Sequence, residues 1–325
     1  MVMVKEYRYL GMGVVPSLGW AHSLEERVNV AKGNLNMVWS VYVDRAEVGF
    51  GDKLRLFDAV SRSIVCYGCQ VWGASMYAGL ERLKRWFVKR VLGLPRCAPD
   101  YVVWLETGVL PVYMYTLGCS VRYMRKVLFA MGEDRLPNFL AGGMVTRGIG
   151  WVNEWNRICG RHGIVCDLGV GVDDFDRMTG AMVGTEREWL MYEQIDRARR
   201  GTRHELYREL QYMNGAVYMG RGWTVHRIGI IVRVRAGLLN LNGNEWRMGG
   251  RRLCSLCSLG EEENVFHFLC VCPVLGDVRR RHLCTRVIGM ERCLDLLNGA
   301  QWDALYGYLC QAMNVRKGLV GEFYF

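Results

Sequence analysis

The sequence predicts a mainly helical chain with a short strand element at its start and a small cysteine–histidine module near its C-terminus. Apolar residues recur at three- and four-residue steps over most of the chain, which is the period of an amphipathic helix. Alternating β-branched and aromatic residues, typical of strands, are concentrated in the first residues. The module contains Cys254, Cys257, His267 and Cys272 in a spacing that helix packing does not explain.

The first half of the chain gives one predicted strand region and five helices. Residues 2–15 predict a strand or short hairpin, because β-branched and aromatic residues there end in glycines that permit a sharp turn. Helices are predicted at residues 22–45, from a cap at Asp52, at 76–92, at 101–107 and at 112–131.

The second half is predicted to be helical on both sides of the module. Gly142 and Gly143 predict a loop that lasts to Gly150, and residues 160–171 predict an irregular segment. Helices are predicted at residues 151–159, 186–213, 274–288 and 300–315. Residues 225–241 fit a helix or a strand, and we prefer the helix. The chain is therefore divided into five segments, at residues 1–19, 20–131, 132–245, 246–290 and 291–325.

The cysteine–histidine module predicts one structural zinc ion. Cys254 and Cys257 are separated by two residues and fit one tight turn, and His267 and Cys272 complete a set of three sulfurs and one nitrogen. Zinc in structural sites takes four such ligands in a tetrahedron and leaves no position for substrate. Two alternatives stay open: the cysteines are ordinary buried apolar residues, or Cys270 replaces Cys272. We prefer Cys272, which is followed by the rigid Pro273.

Charge points to nucleic acid as the partner. The formal net charge is +10, and residues 196–286 hold sixteen Arg and no Lys against eight Asp and Glu, a local excess of +8. Arginine with neighbouring aromatic residues suits phosphate binding and base stacking. A solvated basic face is the alternative for any single arginine.

Other features exclude several classes of protein. The start of the chain lacks a secretion signal, and no apolar run approaches the roughly 20 residues of a membrane span. Thirteen scattered cysteines in a chain of this size therefore predict reduced thiols and a nuclear or cytoplasmic location without membrane association.

The sequence predicts no catalytic and no cofactor-binding residues. Phosphate-binding glycine loops, nucleophile elbows and paired-histidine metalloprotease motifs are absent from it. Asp173 and Asp174 resemble a metal-binding carboxylate pair, but acidic residues also favour the start of a helix. We predict the helix start, because no second strand follows to form the hairpin that such a pair needs.

Several stretches of the sequence share a fixed order along the chain. They are Lys5-Glu-Tyr-Arg-Tyr9-Leu10-Gly11 with Trp20-Ala-His22, Ser63 to Gly73, Leu83 to Pro95, Glu106-Thr-Gly108 with Pro111, Arg233-Val-Arg235-Ala-Gly237, and the Cys254–Cys272 knuckle. Together they resemble the C-terminal part of non-LTR (LINE-type) retrotransposon reverse transcriptases. The first stretch is similar to the end of the palm in that family, and the second is similar to a thumb segment.

The resemblance implies an architecture and a function. The five segments would be the end of the palm with its primer grip, a helical thumb, a helical connection, a zinc knuckle and a helical tail. Partners would be RNA, DNA or an RNA–DNA hybrid, together with the remaining palm and fingers. The primer-grip-like residues would be Tyr9, Leu10 and Gly11, and the nucleic-acid contacts would be Arg82, Arg85, Lys89, Arg251, Arg252, Arg279, Arg280 and Arg281.

One departure from the family limits what we expect of the chain. The polymerase aspartates of the family precede the Tyr-Leu-Gly stretch, and this sequence starts after that point. We therefore expect a C-terminal piece that does not polymerise by itself. Two alternatives stay open: a module whose zinc knuckle binds protein, and a non-functional remnant of a decayed element.

Overall fold

The computed structural model describes residues 7–9, 12–14, 19–212, 217, 221–244 and 252–321. These residues are predominantly helical, which confirms the predicted class. The chain forms two compact units: unit 1 has residues 1–43, 52–87 and 110–193, and unit 2 has residues 44–51, 88–109 and 194–325. Both units are assembled from separate stretches of chain, whereas the boundaries predicted from sequence enclose contiguous segments.

The strands are short and the helices vary widely in length. Strands β1 (Tyr7–Tyr9) and β2 (Met12–Val14) pair antiparallel, with Tyr7 opposite Val14. The helices up to the middle of the chain are α1 (Ala21–Val38), α2 (Phe50–Phe57), α3 (Ser63–Val65), α4 (Cys69–Trp72), α5 (Ala78–Val91), α6 (Asp100–Thr107), α7 (Val112–Phe129), α8 (Leu136–Arg147) and α9 (Trp151–Arg161). Those that follow are α10 (Val172–Arg200), α11 (Glu205–Arg208), α12 (Val225–Arg235), α13 (Gly276–Leu283), α14 (Met290–Leu297) and α15 (Trp302–Val320).

Unit 1 has a core of large apolar side chains from α7, α9 and α10. Trp155 is fully buried, and its ring centroid lies 4.8 Å from that of Trp151 and 5.9 Å from that of Phe175. The carboxylate of Glu81 is buried in the same unit, where it accepts hydrogen bonds from the backbone N–H groups of Val112 at 3.2 Å and Tyr113 at 2.8 Å. It thus satisfies two donors that every helix leaves free in its first turn.

Unit 2 is held together by a buried ion pair between α6 and α12. Arg235 Nε and Nη2 donate to the two carboxylate oxygens of Glu106, at 2.9 and 3.1 Å, and neither side chain is exposed. Tyr207 Oη donates to the same carboxylate at 2.9 Å, and Arg235 also donates to the carbonyl oxygens of Gln211 and Leu297. The arginine thereby joins four stretches of chain.

A glycine allows α12 to pack closely in unit 2. A Cβ atom on Gly229 would lie 2.3 Å from the carbonyl oxygen of Leu92, far inside van der Waals contact. The six residues around it, from Ile228 to Val234, are otherwise apolar except for Arg233, and most are buried. A glycine in a helix interior costs about 1 kcal/mol relative to alanine, and the close approach is what offsets that cost.

Two predicted elements are wrong. Gly142 and Gly143 lie inside α8, not in a loop, and the long helix α10 covers residues 172–200 instead of 186–213. The predicted loop treated the two glycines as helix breakers, but the cost of glycine in a helix is small enough for neighbouring residues to outweigh. Helix α10 begins with the acidic residues Asp173 and Asp174 in its first turn, where the helix dipole favours them. The two ends of α8 carry the usual helix start and stop residues. Pro137 lies in the first turn, and Gly148 ends the helix in a left-handed conformation.

No single helix among residues 19–212, 221–244 and 252–321 has the length and apolar composition to cross a membrane. Helices α6 and α7 reach that composition and length only when taken together as a bent pair.

The Arg235–Glu106 pair gives a direct test of the fold. We expect Arg235→Met to lower the free energy of unfolding by about 3–5 kcal/mol, because it leaves the buried Glu106 carboxylate without its cation. Urea unfolding followed by circular dichroism measures the change. Arg200→Met is the control, since Arg200 is 81% exposed and its pair with Asp196 is a surface pair. Equal stability of the two variants would contradict the structural role of Arg235.

Candidate metal centre

Backbone hydrogen bonds place Cys254 and Cys257 on one tight loop. Leu253 and Glu262 form an antiparallel bridge, flanked by the bonds from Cys254 N to Glu261 O at 2.8 Å and from Glu263 N to Arg252 O at 2.9 Å. The chain must reverse between these two short stretches. The N–H of Leu256 points at Cys254 Sγ, 3.4 Å away, which stabilises negative charge on that sulfur.

A single wide helical turn presents the other two residues. His267 to Val271 form a π-helical turn that is closed by the bond from Cys272 N to His267 O at 2.9 Å. Asn264 fixes the start of this turn, because its side-chain oxygen accepts the N–H of His267 at 2.8 Å. Pro273 follows at once and opens a short 3₁₀ turn, so Cys272 is held where the chain changes direction.

The two substructures bring four ligand atoms together. The sulfurs of Cys254, Cys257 and Cys272 and a ring nitrogen of His267 all lie within 4.8 Å of one another, and His267 Nε2 is 3.4 Å from Cys257 Sγ. Cys254, His267 and Cys272 are buried, and Cys257 is half-buried. Zn–S bonds of about 2.3 Å place tetrahedral sulfurs about 3.8 Å apart, so a small contraction would complete such a site. The cluster could hold a metal ion.

A carboxylate next to the cluster orients the histidine. Glu261 Oε2 lies 2.7 Å from His267 Nδ1, so Nδ1–H donates to the carboxylate and the lone pair of Nε2 is left facing the sulfurs. Metal-binding histidines commonly have a carboxylate or carbonyl partner on their second nitrogen. Nothing in the sequence sets Glu261 apart from Glu262 and Glu263 beside it, so this contact was not predicted.

Burial disfavours the charged thiolate forms of Cys254 and Cys272 when no cation is present. Burial raises the pKa of Cys272 to about 12, and the nearby Cys254 and Cys257 add to the shift. Burial also raises the pKa of Cys254, against the opposing backbone N–H groups of Leu256 and Cys257. Coordination removes this penalty, because a bound metal ion deprotonates its thiol ligands. The chemistry of the donor set therefore fits a thiophilic cation.

The structure gathers Cys272 into the cluster rather than Cys270. The thiol of Cys270 is fully buried and forms a hydrogen bond with that of Cys293 in α14. Cys272 therefore occupies a ligand position, whereas Cys270 packs against α14.

Two buried arginines connect the chain around the cluster to helices α13 and α15 of unit 2. Arg279 in α13 donates to the carbonyl oxygens of Leu269 at 2.8 Å, Cys272 at 2.9 Å and Arg286. Arg316 in α15 pairs with Glu263, its Nε and Nη2 lying 2.6 and 2.5 Å from the two carboxylate oxygens. Neither arginine is exposed.

This position of Arg279 corrects the prediction that it contacts nucleic acid. All three of its nitrogens donate to backbone carbonyls, and no part of the side chain reaches solvent. The physical reason is that arginine is the only side chain with five donors in a rigid plane, which suits it to several carbonyls at once. Phe268 is likewise buried, with its ring edge against Tyr308, while Phe266 is half-buried.

The other predicted contacts near the module lie at the surface. Arg280 and Arg281 in α13 are exposed, and Arg280 has only a long ion pair with Asp277, at 3.8 Å. Arg252 is exposed and pairs with Glu262 at 3.1 Å. Arg251 lies outside the described residues. Three of the five predicted arginines are therefore available to an anion from solvent.

The predicted basic stripe on α5 is only partly available. Arg82 is 61% exposed and pairs with Glu25 at 3.3 Å. Lys89 is 15% exposed and pairs with Asp100 at 3.0 Å, which corrects its assignment as an open phosphate contact. Arg85 is half-buried and has an interaction partner.

The remaining predicted residues fall at the start of the chain and in α10. Tyr9 lies in β1 opposite Met12, and Leu10 and Gly11 lie outside the described residues. Asp173 and Asp174 lie in the first turn of α10, the helix-start position that the sequence favoured.

A comparison with protein families, curated proteins and solved structures gives no match to this chain.

The contact between Glu261 and His267 predicts a specific loss of metal affinity. We expect Glu261→Ala to weaken cobalt(II) or zinc binding by about 10- to 100-fold, because the histidine ring loses the partner that orients it. Competition with a coloured chelator measures the affinity, and cobalt absorption reports thiolate coordination. Glu262→Ala is the matched control, since the carboxylate of Glu262, the next residue in the chain, pairs with Arg252. Equal affinities for the two variants would show that Glu261 does not orient the ligand.

Proposed function

We propose that this chain is a zinc-stabilised, nucleic-acid-binding C-terminal segment of a reverse transcriptase of the non-LTR retrotransposon type. The observation that carries the proposal is the convergence of Cys254, Cys257, His267 and Cys272, with the histidine held by a carboxylate. Three sulfurs and one nitrogen form the ligand set of a structural zinc site, which has no open position for chemistry.

The zinc ion has a structural task in this proposal. Its ligands are Cys254 and Cys257 of one loop, His267 at the start of the π-helical turn and Cys272 just after it. A bound zinc ion stabilises the folded state, because it binds the assembled ligands in preference to the dispersed ligands of the unfolded chain. The residues themselves position the module: Glu261 orients the histidine, Arg279 holds the turn, and Arg316 holds Glu263.

The exposed arginines around the module support nucleic acid as its partner. Arg252 next to the Leu253–Glu262 bridge, and Arg280 and Arg281 in α13, have side chains that are exposed to solvent. Guanidinium groups bind phosphates through paired hydrogen bonds, which position a backbone without reading its sequence. The net charge of the chain, +10, also favours a negatively charged partner such as nucleic acid.

The Arg235–Glu106 pair supports the resemblance in a physical way. Two stretches that resemble the family, Glu106-Thr-Gly108 and Arg233-Val-Arg235-Ala-Gly237, lie 129 residues apart in sequence when measured between the paired residues. Glu106 of the first stretch and Arg235 of the second meet in one buried salt bridge in unit 2. The buried pair therefore needs one residue from each of these two stretches.

Metal analysis combined with hybrid binding tests the proposal. We expect about one zinc per purified chain, and salt-sensitive binding of a fluorescent RNA–DNA hybrid. The double variant His267→Ala/Cys272→Ser is expected to lose both the zinc and the binding. Raising the salt from 50 to 200 mM is expected to weaken wild-type binding by at least tenfold, because bound phosphates release their counterions.

The control keeps the cysteine count of the double variant while sparing the module. Cys284→Ser removes one exposed thiol, and its zinc content and binding are expected to equal those of the wild type. Zinc without hybrid binding would favour a protein-binding knuckle. Absence of both from the wild-type chain would contradict the proposal and favour a non-functional remnant. Nucleotide incorporation by the chain alone would contradict the absence of a polymerase site.

A further inference from the structure

A pair of thiols lies between helices α4 and α7 of unit 1, whereas the metal ligands belong to unit 2. Cys69 is the first residue of α4, and Cys119 lies in the middle of α7. The two helices pack closely: a Cβ atom on Gly73 would lie 2.3 Å from the carbonyl oxygen of Thr116, and Thr116 Oγ1 donates to the carbonyl oxygen of Gly73 at 3.1 Å. At this contact the thiol of Cys69 forms a hydrogen bond with the sulfur of Cys119.

The sulfur of Cys119 also has polar neighbours from its own helix. Arg122 Nη2 donates to it at 3.1 Å from the following turn of α7, and the hydroxyl of Tyr115 forms a hydrogen bond with it from the preceding turn. Cys119 is only half-buried, and the side chain of Arg122 is exposed. A cation next to a partly accessible sulfur is the environment in which reactive cysteines are found.

The other two cysteines of this region are held in the thiol form. Burial raises the pKa of Cys69 to about 12, and the negative charge of an ionised Cys119 adds to the shift. Burial also raises the pKa of Cys66, three residues earlier in the chain. Both of these side chains are buried. Cys119 is therefore the sulfur that a small reagent from solvent meets first, and Cys69 is the thiol waiting behind it.

We propose that Cys119, with Arg122 as its activating cation, is a site of oxidation by hydrogen peroxide and that Cys69 is its resolving partner. In the first step the thiolate of Cys119 attacks one peroxide oxygen, the O–O bond breaks and hydroxide leaves, so the sulfur becomes a sulfenic acid and the peroxide is reduced. In the second step the sulfur of Cys69 attacks that of Cys119. A disulfide forms, and the sulfenic hydroxyl leaves as water with the proton of the Cys69 thiol.

The two steps differ in speed for a physical reason. Thiolates are the attacking species in both, and the high pKa of Cys69 leaves little of its thiolate at neutral pH. The sulfenic acid at Cys119 is therefore expected to accumulate before the disulfide closes. The disulfide would join α4 to α7 where the helices already touch at Gly73 and Thr116. This inference does not depend on the proposed nucleic-acid function, so either can fail without the other.

Mass spectrometry of the whole wild-type chain tests the inference without any variant. The reduced protein is treated with one equivalent of hydrogen peroxide, and its remaining thiols are alkylated and mapped by peptide. We expect Cys119 to lose its thiol about fivefold faster than the exposed Cys97 and Cys284, and a Cys69–Cys119 disulfide to appear later. Dithiothreitol is expected to restore both thiols. Loss at Cys119 no faster than at the two exposed cysteines, or closure of Cys119 onto a cysteine other than Cys69, would overturn the inference.

Serine variants identify the resolving cysteine. Cys69→Ser is expected to stop the reaction at the sulfenic acid, which dimedone traps at Cys119. Cys66→Ser is the matched control, because it removes a neighbouring buried thiol, and it is expected to form the same disulfide as the wild type. Absence of dimedone labelling at Cys119 in Cys69→Ser would count against the first step.

A pair of charge variants tests the role of the arginine. Arg122→Gln is expected to slow the loss of the Cys119 thiol by about three- to tenfold, because the sulfur loses its cationic donor. Lys126→Gln is the control, since it removes the same charge from an exposed position one turn further along α7. Its rate is expected to equal that of the wild type. Equal rates for Arg122→Gln and Lys126→Gln would overturn the assignment of Arg122 as the activating cation.

Discussion

The buried guanidinium groups of Arg235, Arg279 and Arg316 are the constraint on which unit 2 depends. Each side chain is removed from water, and each has to be matched by fixed acceptors because a buried charge without partners costs several kcal/mol. Arg235 and Arg316 pair with carboxylates, and Arg279 donates to three backbone carbonyls. The acceptors of Arg235 and Arg316 come from distant parts of the chain, so each of these two arginines fixes segments that could otherwise pack in several registers. The acceptors of Arg279 lie within ten residues of it and fix the local path of the chain around Cys272.

The same constraint explains why the metal cluster is part of a larger fold. In an isolated finger the metal supplies most of the stabilisation. Here the bridge at Glu262 continues into Glu263, which is fixed by Arg316, and the turn that carries His267 continues into Cys272, whose carbonyl is fixed by Arg279. Tyr308 adds a hydrogen bond to the carbonyl of Phe268 at 2.6 Å. The two halves of the ligand set are therefore anchored to α13 and α15, and a bound metal would close an arrangement that the helices have already brought near.

The sequence was most informative where chemistry restricts the choice of residue. Cysteines and histidines at knuckle spacing identified the four residues that the structure brings together, because few other roles require that set. Helix positions followed from apolar periodicity, except in α8, where two glycines were given too much weight, and in α10, where periodicity placed the bounds too late in the chain. The contact of Glu261 with His267 and the burial of Arg279 were not predictable, since an exposed and a buried charged residue look identical in a single sequence. Only the three-dimensional partners distinguish them.

This last point changes how the arginine-rich segment should be interpreted. Sixteen arginines between residues 196 and 286 favoured a nucleic-acid surface when they were counted together. In the structure Arg235 and Arg279 are buried, Arg227 lies between two rings, and burial lowers the pKa of Arg233. The guanidinium group serves both uses for one reason: it is weakly hydrated, planar and rich in donors, so it can leave water for a carbonyl as readily as for a phosphate. Arginines open to a partner are then those whose donors are unused among the residues that the structure describes, such as Arg281 in α13, and local charge density alone does not identify them.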